Sequence, residues 1–376
     1  MRVAPASKAS EPAVADARYM ALALALGRRG LGRTWPNPDV GAVIVKNDTI
    51  VGRGWTQAGG RPHAEVEALR RAGEAARGAT LYVTLEPCSH YGKSPPCADA
   101  VIAAGIARVV SALEDPNPEV AGAGHARLRA AGIAVDVGLG AEEARRDHAG
   151  HIRRMRDLRP HVLLKLAASA DGKAGAAGRR PVAITGERVR DRVHLLRAQS
   201  DAIMIGSGTA LSDDPILTCR LPGMAAYSPV RVVLDGALRL PLSSRLVQSA
   251  REVPLWVIAG AEASAAAKQR LEAAGVTVLA VPRAGARLDL AAILRLLAER
   301  GVSRLMVEAG PILAAALLDA DLVDEAVLFS SAKVVGPDGI DALEGMPLTA
   351  LTQSPRLKGV GSEAAGEDNC EIFERR

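Results

Sequence analysis

Short apolar runs rich in β-branched residues alternate along the chain with stretches of helical periodicity. In the first half, the apolar runs predict strands at residues 40–45, 50–54, 80–84, 108–112 and 134–137. The intervening patterns predict helices at residues 16–29, 63–76, 97–104 and 126–131, the first of them capped by Asp16. Alternation of this kind is typical of a layered α/β domain.

The pattern breaks between residues 148 and 160 into His, Arg and Asp with little apolar periodicity, so a linker is predicted at residues 151–160. A second alternation of predicted strands and helices follows. Its predicted strands are at 162–167, 201–206, 230–235, 255–259, 304–308 and 323–329, its helices include 187–198 and 312–318, and residues 208–220 are expected to form a loop. We therefore predict two domains, at residues 16–150 and 161–376. Residues 1–15 contain no apolar segment, which predicts a disordered tail and no signal peptide.

Composition narrows the possible functions. The chain has 376 residues, a net charge of +5 and only 2% aromatic residues, and its charges are spread without a concentrated basic patch. A nucleic-acid-binding protein would be expected to have such a patch, interleaved with aromatic side chains. No run approaches the roughly 20 apolar residues that a membrane-spanning helix requires. These features predict that the chain has no nucleic-acid or membrane partner.

The four cysteines do not suggest a disulfide framework. Cys88 and Cys97 belong to a motif described below, whereas Cys219 and Cys370 are isolated in the sequence. A chain of this length does not need disulfides to fold, so a reducing, cytoplasmic setting is predicted.

One motif carries specific chemistry. His63 and Glu65 open a predicted helix, Cys88 follows a strand, and Cys97 opens the next helix. One histidine and two cysteines supply three zinc ligands and leave a fourth position for water, as in catalytic sites, while Glu65 can transfer protons without binding the metal. The alternative is a structural zinc in a non-catalytic scaffold, which would require a fourth ligand such as His90.

The sequences of these motifs resemble those of a known family. The segments P-N-P-D-V-G-A-V-I-V, H-A-E-V-E-A-L, T-L-E-P-C-S-H-Y-G-K-S-P-P-C and D-P-N-P-E-V-A-G-A-G, together with L-K-L-A-A-S-A-D-G-K-A and V-E-A-G-P in the second half, are similar to the RibD-type deaminase-reductases of riboflavin biosynthesis. The resemblance implies a cytidine-deaminase-like three-layer α/β/α domain followed by a dihydrofolate-reductase-like α/β domain. It also implies zinc-dependent deamination of 2,5-diamino-6-(5-phosphoribosylamino)pyrimidin-4-one, then NADPH-dependent reduction of the ribosyl group to ribityl.

The resemblance also implies roles for individual residues. The zinc ligands, for one ion per chain, would be His63, Cys88 and Cys97. The catalytic residues would be Glu65, Lys165 and Asp213. The NADPH site would contain Ala167, Ala183, Thr209, Asp213, Gly236 and Gly310. The substrate would contact Asn37, Lys93, Arg197, Leu217, Arg220 and Glu308.

Two narrower alternatives remain. The family usually reads S-x-W-I-T where this chain has Pro181-Val182-Ala183-Ile184-Thr185, so an aromatic residue is replaced by Ala183. A deaminase joined to a defective reductase is therefore possible, as is a tRNA- or nucleoside-type zinc deaminase. The expected partners are the small pyrimidine phosphoribosyl substrate and, in a homo-oligomer, further copies of the chain.

Overall fold

The computed structural model describes residues 11–376 apart from Lys93 and Pro181. The chain divides into two compact units, of which the first ends at Asp157 and the second begins at Leu158. Within the described residues, every helix is too short or too polar to cross a lipid bilayer.

The first unit is built on a five-stranded sheet with the strand order β2-β1-β3-β4-β5. Its strands are β1 (Gly41–Lys46), β2 (Thr49–Trp55), β3 (Thr80–Val83), β4 (Arg108–Ser111) and β5 (Ala134–Val137). Its helices are α1 (Glu11–Gly27), α2 (Ala64–Ala72), α3 (Cys97–Ala103), α4 (Ala123–Ala130), α5 (Ala141–Asp147) and α6 (Ala149–Asp157).

Helices cover both faces of this sheet. Helix α1 packs against β1 and β3 and contacts α5, whereas α2 packs against β1 and β2 and contacts α3. Close packing requires small residues: a Cβ on Gly54 would lie 2.4 Å from the carbonyl oxygen of Ala64. Strands β3, β4 and β5 run parallel, and β1 is antiparallel to both of its neighbours. The predicted three-layer α/β/α arrangement is confirmed.

The predicted start of the first helix is wrong. Helix α1 begins at Glu11, so the predicted tail extends too far; residues 1–10 of that tail lie outside the described residues. Pro12 falls in the first turn, where its missing amide hydrogen costs no helical hydrogen bond. Asp16 therefore lies inside the helix rather than at its cap, and its carboxylate accepts from Arg108 at 2.8 Å.

The predicted linker at 151–160 is also mostly wrong, because α6 occupies residues 149–157. The segment was read as polar, yet His148 and His151 are buried, since each finds a hydrogen-bond partner inside the first unit. The helix ends before Leu158, which has a positive φ of 53°.

The second unit contains one nine-stranded sheet and two separate two-stranded sheets. Its strands are β6 (His161–Ala168), β7 (Lys173–Gly175), β8 (Ala202–Gly206), β9 (Val230–Leu234), β10 (Leu255–Gly260), β11 (Thr277–Val281), β12 (Arg283–Ala284), β13 (Arg287–Leu288), β14 (Arg304–Val307), β15 (Glu325–Ser330), β16 (Ile340–Asp341), β17 (Leu357–Ala365) and β18 (Asp368–Arg375). Its helices are α7 (Glu187–Ala198), α8 (Ser207–Asp213), α9 (Arg245–Gln248), α10 (Ala265–Ala273), α11 (Leu290–Glu299), α12 (Pro311–Asp319) and α13 (Thr349–Thr352).

The order in the nine-stranded sheet is β11-β10-β9-β8-β14-β6-β15-β18-β17, and the strands from β11 to β15 are parallel. The α/β prediction is confirmed for this unit. The antiparallel hairpin of β17 and β18 was missed, because β17 is exposed along most of its length and has no apolar alternation. The predicted loop at 208–220 begins with helix α8, whose sequence Ser-Gly-Thr-Ala-Leu-Ser-Asp has weak intrinsic helix propensity.

Candidate active sites

The three predicted metal ligands meet in the first unit. His63 Nδ1 lies 3.3 Å from Cys97 Sγ and 3.8 Å from Cys88 Sγ, and the donor atoms of all three residues lie within 4.8 Å of one another. This spacing suits three donors around one ion, and the mixture of imidazole and thiol suits zinc.

Each ligand is held at the end of an element. His63 is the N-cap of α2, Cys97 is the first residue of α3, and Cys88 lies in the loop after β3. The amide of Cys97 donates to Cys88 Sγ at 3.2 Å, as expected where a helix N-terminus faces a negative group. The hydrogen bond from the Cys97 thiol lowers the pKa of Cys88, which favours the thiolate that a metal requires.

Glu65 lies in the first turn of α2, two residues after His63, and its exposed fraction is only 3%. Burial raises the pKa of its carboxyl group to about 7. The structure therefore places a buried carboxyl group beside the three metal donors, where proton transfer to and from a bound molecule is geometrically possible.

Asn37 contacts the site on the far side of the imidazole. Its amide nitrogen lies 3.0 Å from His63 Nε2 and donates to the carbonyl oxygen of Gly60 at 2.8 Å. The amide nitrogen only donates, whereas a histidine that binds a metal through Nδ1 carries its hydrogen on Nε2. In the metal-bound state this contact therefore limits the position of the imidazole by packing and not by a hydrogen bond. The predicted contact between Asn37 and a substrate stays a prediction, and Lys93 lies outside the described residues.

Glu86 holds the loop that carries Cys88. Its carboxylate accepts four backbone N–H groups, from Asp115, Gly122, Gly124 and His125, at 2.8–3.1 Å. The close approach of these loops requires a glycine, because a Cβ on Gly124 would lie 2.1 Å from the carbonyl oxygen of Pro87.

A second group of possible metal donors consists of Glu86, Glu114 and His125. Both carboxylate oxygens of Glu86 already accept two backbone hydrogen bonds each, which leaves little capacity for a metal ion. His90, the alternative fourth ligand of a structural zinc, is not part of either donor group found in the described residues. The geometry therefore favours a three-ligand site.

In the second unit, the structure brings together three of the residues predicted for reduction. The Arg197 guanidinium donates to both carboxylate oxygens of Glu308, at 2.6 and 2.9 Å, and to the carbonyl oxygen of Thr218 at 3.0 Å. Burial opposes ionisation of Glu308, but Arg197 and Lys165 together lower the pKa of its carboxyl group. Burial also lowers the pKa of Lys165. The N–H edge formed by Nε and Nη2 of Arg197 is thus directed at Glu308 rather than at solvent.

His194 is a further candidate for the reduction site, and the sequence analysis missed it. Its Nδ1 accepts the backbone N–H of Arg220 at 3.3 Å, and burial lowers the pKa of its imidazole. The signal was present in the sequence, because His194 lies three residues before Arg197 and therefore on the same face of α7.

The predicted cofactor residues lie at the carboxyl ends of strands. Gly310 follows β14 and caps α12, and a Cβ on Gly310 would lie 2.9 Å from Thr209 Oγ1 in α8. Ala167 lies near the end of β6, on the same face as Lys165. The carboxyl ends of parallel strands are the usual place for a nucleotide in α/β sheets.

The remaining residues predicted for the reduction site form no hydrogen bond with one another in the described structure. Gly236 follows β9, and its carbonyl oxygen accepts from Arg283 at 3.4 Å. Asp213 is exposed at the end of α8, and Ala183 is exposed, with its carbonyl oxygen accepting from Lys333 at 2.7 Å. Leu217 is buried with a φ of 60°, and the Arg220 side chain is exposed. The described contacts do not join Asp213 to Lys165, and the roles of these residues stay predictions.

Comparisons with known proteins cover both units. A model of the cytidine and deoxycytidylate deaminase zinc-binding region matches residues 14–113, and a model of the RibD C-terminal domain matches residues 160–370. The chain is 45% identical over 368 residues to riboflavin biosynthesis protein RibD of Escherichia coli K12, covering 94% of this chain and 98% of that protein. It is 41% identical over 360 residues to RibD of Aquifex aeolicus, covering 96% and 98%.

Solved structures agree with these sequence matches. Acinetobacter baumannii RibD superposes with a TM-score of 0.86 at 35% identity, covering 97% of this chain and 99% of that chain. A Thermotoga maritima protein described as a diaminohydroxyphosphoribosylaminopyrimidine deaminase/5-amino-6-(5-phosphoribosylamino)uracil reductase superposes with a TM-score of 0.84 at 34% identity, covering 97% and 100%. Both folds thus occur together in proteins of the same length.

Proposed function

The chain belongs to the RibD family of bifunctional riboflavin-biosynthesis deaminase-reductases, and on this premise we propose its substrates. Its first unit deaminates 2,5-diamino-6-(5-phosphoribosylamino)pyrimidin-4-one, and its second unit reduces the ribosyl group of the product to ribityl with NADPH. The observation that carries the proposal is the meeting of His63, Cys88 and Cys97 beside the buried carboxyl group of Glu65.

In the first unit, His63, Cys88 and Cys97 hold one zinc ion per chain. When bound, zinc lowers the pKa of water toward about 7 and so supplies a nucleophile at neutral pH. Glu65 accepts a proton from the attacking water and delivers it to the departing amino group, so that ammonia leaves and the ring gains an oxygen. Asn37 and Glu86 keep the imidazole and the Cys88 loop in place.

We expect Cys88→Ser and Cys97→Ser to lose most of the bound zinc, because each removes one of three protein ligands. Zinc per chain, measured by mass spectrometry of the purified protein, should fall from one toward zero. Cys370→Ser is the matched control, since Cys370 is buried on β18 of the second unit. Full zinc content in either site variant would contradict the ligand assignment.

In the second unit, the proposed cofactor site contains Ala167, Ala183, Thr209, Asp213, Gly236 and Gly310, and Asp213 is proposed to be catalytic as well. When bound, NADPH supplies the hydride for the reduction. Lys165 donates a proton to, or stabilises, the oxygen on which negative charge develops as the sugar carbonyl is reduced. The proposed contacts with the substrate of reduction are Arg197, Leu217, Arg220 and Glu308. Asn37 and Lys93 are proposed to contact the substrate of deamination in the first unit.

The lowered pKa of Lys165 predicts a pH dependence for reduction. The protonated amine is required, so the rate should fall as pH rises through a pKa that lies below the usual value of about 10.4 for lysine. Lys165→Arg, which stays charged, should be slower but should lose this alkaline decline. An unchanged alkaline decline in Lys165→Arg, measured by NADPH oxidation, would assign it to another group.

The remaining expectations form part of the same proposal. The deaminase domain is proposed to include α6 and to end at Asp157, and the reductase domain to begin at Leu158. We further propose a cytoplasmic homo-oligomer without nucleic-acid or membrane partners. The four cysteines form no disulfide with one another, which supports a reducing setting.

A two-step turnover assay tests the function. The zinc-loaded protein receives the phosphoribosylamino-diaminopyrimidinone, first alone and then with NADPH, and the products are identified by mass spectrometry. We expect ammonia release in the first step and a gain of two hydrogens only with NADPH. Deamination without reduction would favour the defective-reductase alternative, which the replacement at Ala183 motivates. The absence of deamination would contradict the proposed substrate.

A further inference from the structure

The last helix of the first unit has a polar face with no assigned role. His148, His151 and Arg154 follow one another at intervals of three residues, so they lie on one side of α6 and the turn before it. These residues lie outside both regions that the family models match, at 14–113 and 160–370.

Each member of this polar face contacts a different loop. His148 Nε2 lies 3.1 Å from Thr84 Oγ1, and His151 Nε2 lies 2.9 Å from Asp115 Oδ1. Arg154 donates to the carbonyl oxygen of Pro36 at 2.8 Å. Because a carboxylate only accepts hydrogen bonds, His151 Nε2 is the donor in its pair with Asp115.

The three contacted loops are those that carry the deaminase site. Thr84 lies two residues before Glu86, and the amide of Asp115 donates to the Glu86 carboxylate at 3.1 Å. Pro36 immediately precedes Asn37, whose amide lies 3.0 Å from His63 Nε2. One helix thus reaches the supports of both the Cys88 loop and the His63 imidazole.

The contact between His151 and Asp115 is buried, with exposed fractions of 7% and 8%. A buried polar pair contributes little net stability, but removing one partner leaves the other unsatisfied in the interior. A pair of this kind therefore specifies the position of the Asp115 loop relative to α6 more than it stabilises the fold.

We propose that His151 and Arg154 are positioning residues for deamination. His151 fixes the loop that binds Glu86 and through it the Cys88 loop, and Arg154 fixes the loop that carries Asn37. The proposal rests on the proposed deaminase function. Helix α6 thus supports the loops of the deaminase site and does not serve only as a connection between the two units.

The test compares matched pairs of variants in the full-length, zinc-loaded protein. His151→Leu removes the donor, whereas His151→Gln keeps an N–H near the position of Nε2; Arg154→Met and Arg154→Lys form the second pair. We expect His151→Leu and Arg154→Met to lower kcat for deamination about tenfold, as loss of an outer partner of a metal site commonly does. The Gln and Lys variants should recover most of the loss. Zinc content and reduction of separately supplied deaminated substrate should be unchanged in all four.

Hydrogen–deuterium exchange gives a readout that does not depend on turnover. The amides of Asp115, Gly122 and Gly124 should exchange faster in His151→Leu than in the wild type and in His151→Gln. Wild-type kcat in His151→Leu and Arg154→Met, or an equal loss in both members of a pair, would overturn the proposal. If the wild type itself does not deaminate the substrate, the proposed function fails, and unchanged amide exchange in His151→Leu would separately refute the positioning role.

Discussion

Glu65→Gln should retain zinc and lose deamination by about 10²- to 10⁴-fold, the range that general acid–base groups contribute. Glutamine preserves the shape of the side chain but cannot accept and return the proton that the reaction moves. His63, Cys88 and Cys97 remain in place, so metal binding should be unaffected. The measurements are ammonia release under saturating substrate and zinc per chain.

Two controls make this result specific. Glu67→Gln changes another buried glutamate of α2, which pairs with Arg70 at 2.9 Å and does not belong to the metal-donor group, and it should leave deamination near the wild-type rate. Reduction of the deaminated product should be unchanged in both variants. Loss of zinc in Glu65→Gln would show that Glu65 supports the metal rather than the proton transfer.

Arg197→Met should lower the free energy of unfolding of the second unit by about 3 kcal/mol, because it leaves the Glu308 carboxylate mostly buried without its main partner. The side chains of Arg197 and Glu308 are exposed by only 10% and 15%, so solvent compensates little for the lost pair. The same variant should raise KM for reduction and leave deamination unchanged. Denaturant unfolding followed by probes in each unit measures the first effect, and separate assays of the two half-reactions measure the second.

The double variant Arg197→Met/Glu308→Gln distinguishes the two effects. Removing the charge of Glu308 as well should restore most of the lost stability, since the penalty comes from the uncompensated carboxylate. Reduction should stay impaired, because the proposed substrate contacts are gone. If the double variant is no more stable than Arg197→Met, the ion pair is not the source of the loss; if deamination also falls, the two activities are not separable.

The sequence alone determined the chemistry of the first site. His63, Glu65, Cys88 and Cys97 were identifiable because a zinc enzyme needs particular side chains at particular ends of strands and helices, and such motifs are short and local. The five strands of the first sheet and six parallel strands of the second (β6, β8, β9, β10, β14 and β15) were predicted for the same reason, since apolar β-branched runs carry their own periodicity. Membership of the family followed from motifs that extend through nearly the whole chain.

Only the tertiary structure decided which polar residues are buried and what they contact. Residues 151–160 are predicted as a linker because His and Arg dominate this part of the chain. Yet the partners that allow α6 and the preceding His148 to pack, namely Thr84, Asp115 and Pro36, lie far away in the sequence. The direction of the Arg197 guanidinium toward Glu308 is hidden for the same reason, because 111 residues separate them. The local sequence pattern determines which side chains lie on each helix and strand. Which of the polar ones are buried, and what they contact, is determined by hydrogen bonds between residues far apart in the chain, and no short window of sequence contains both partners.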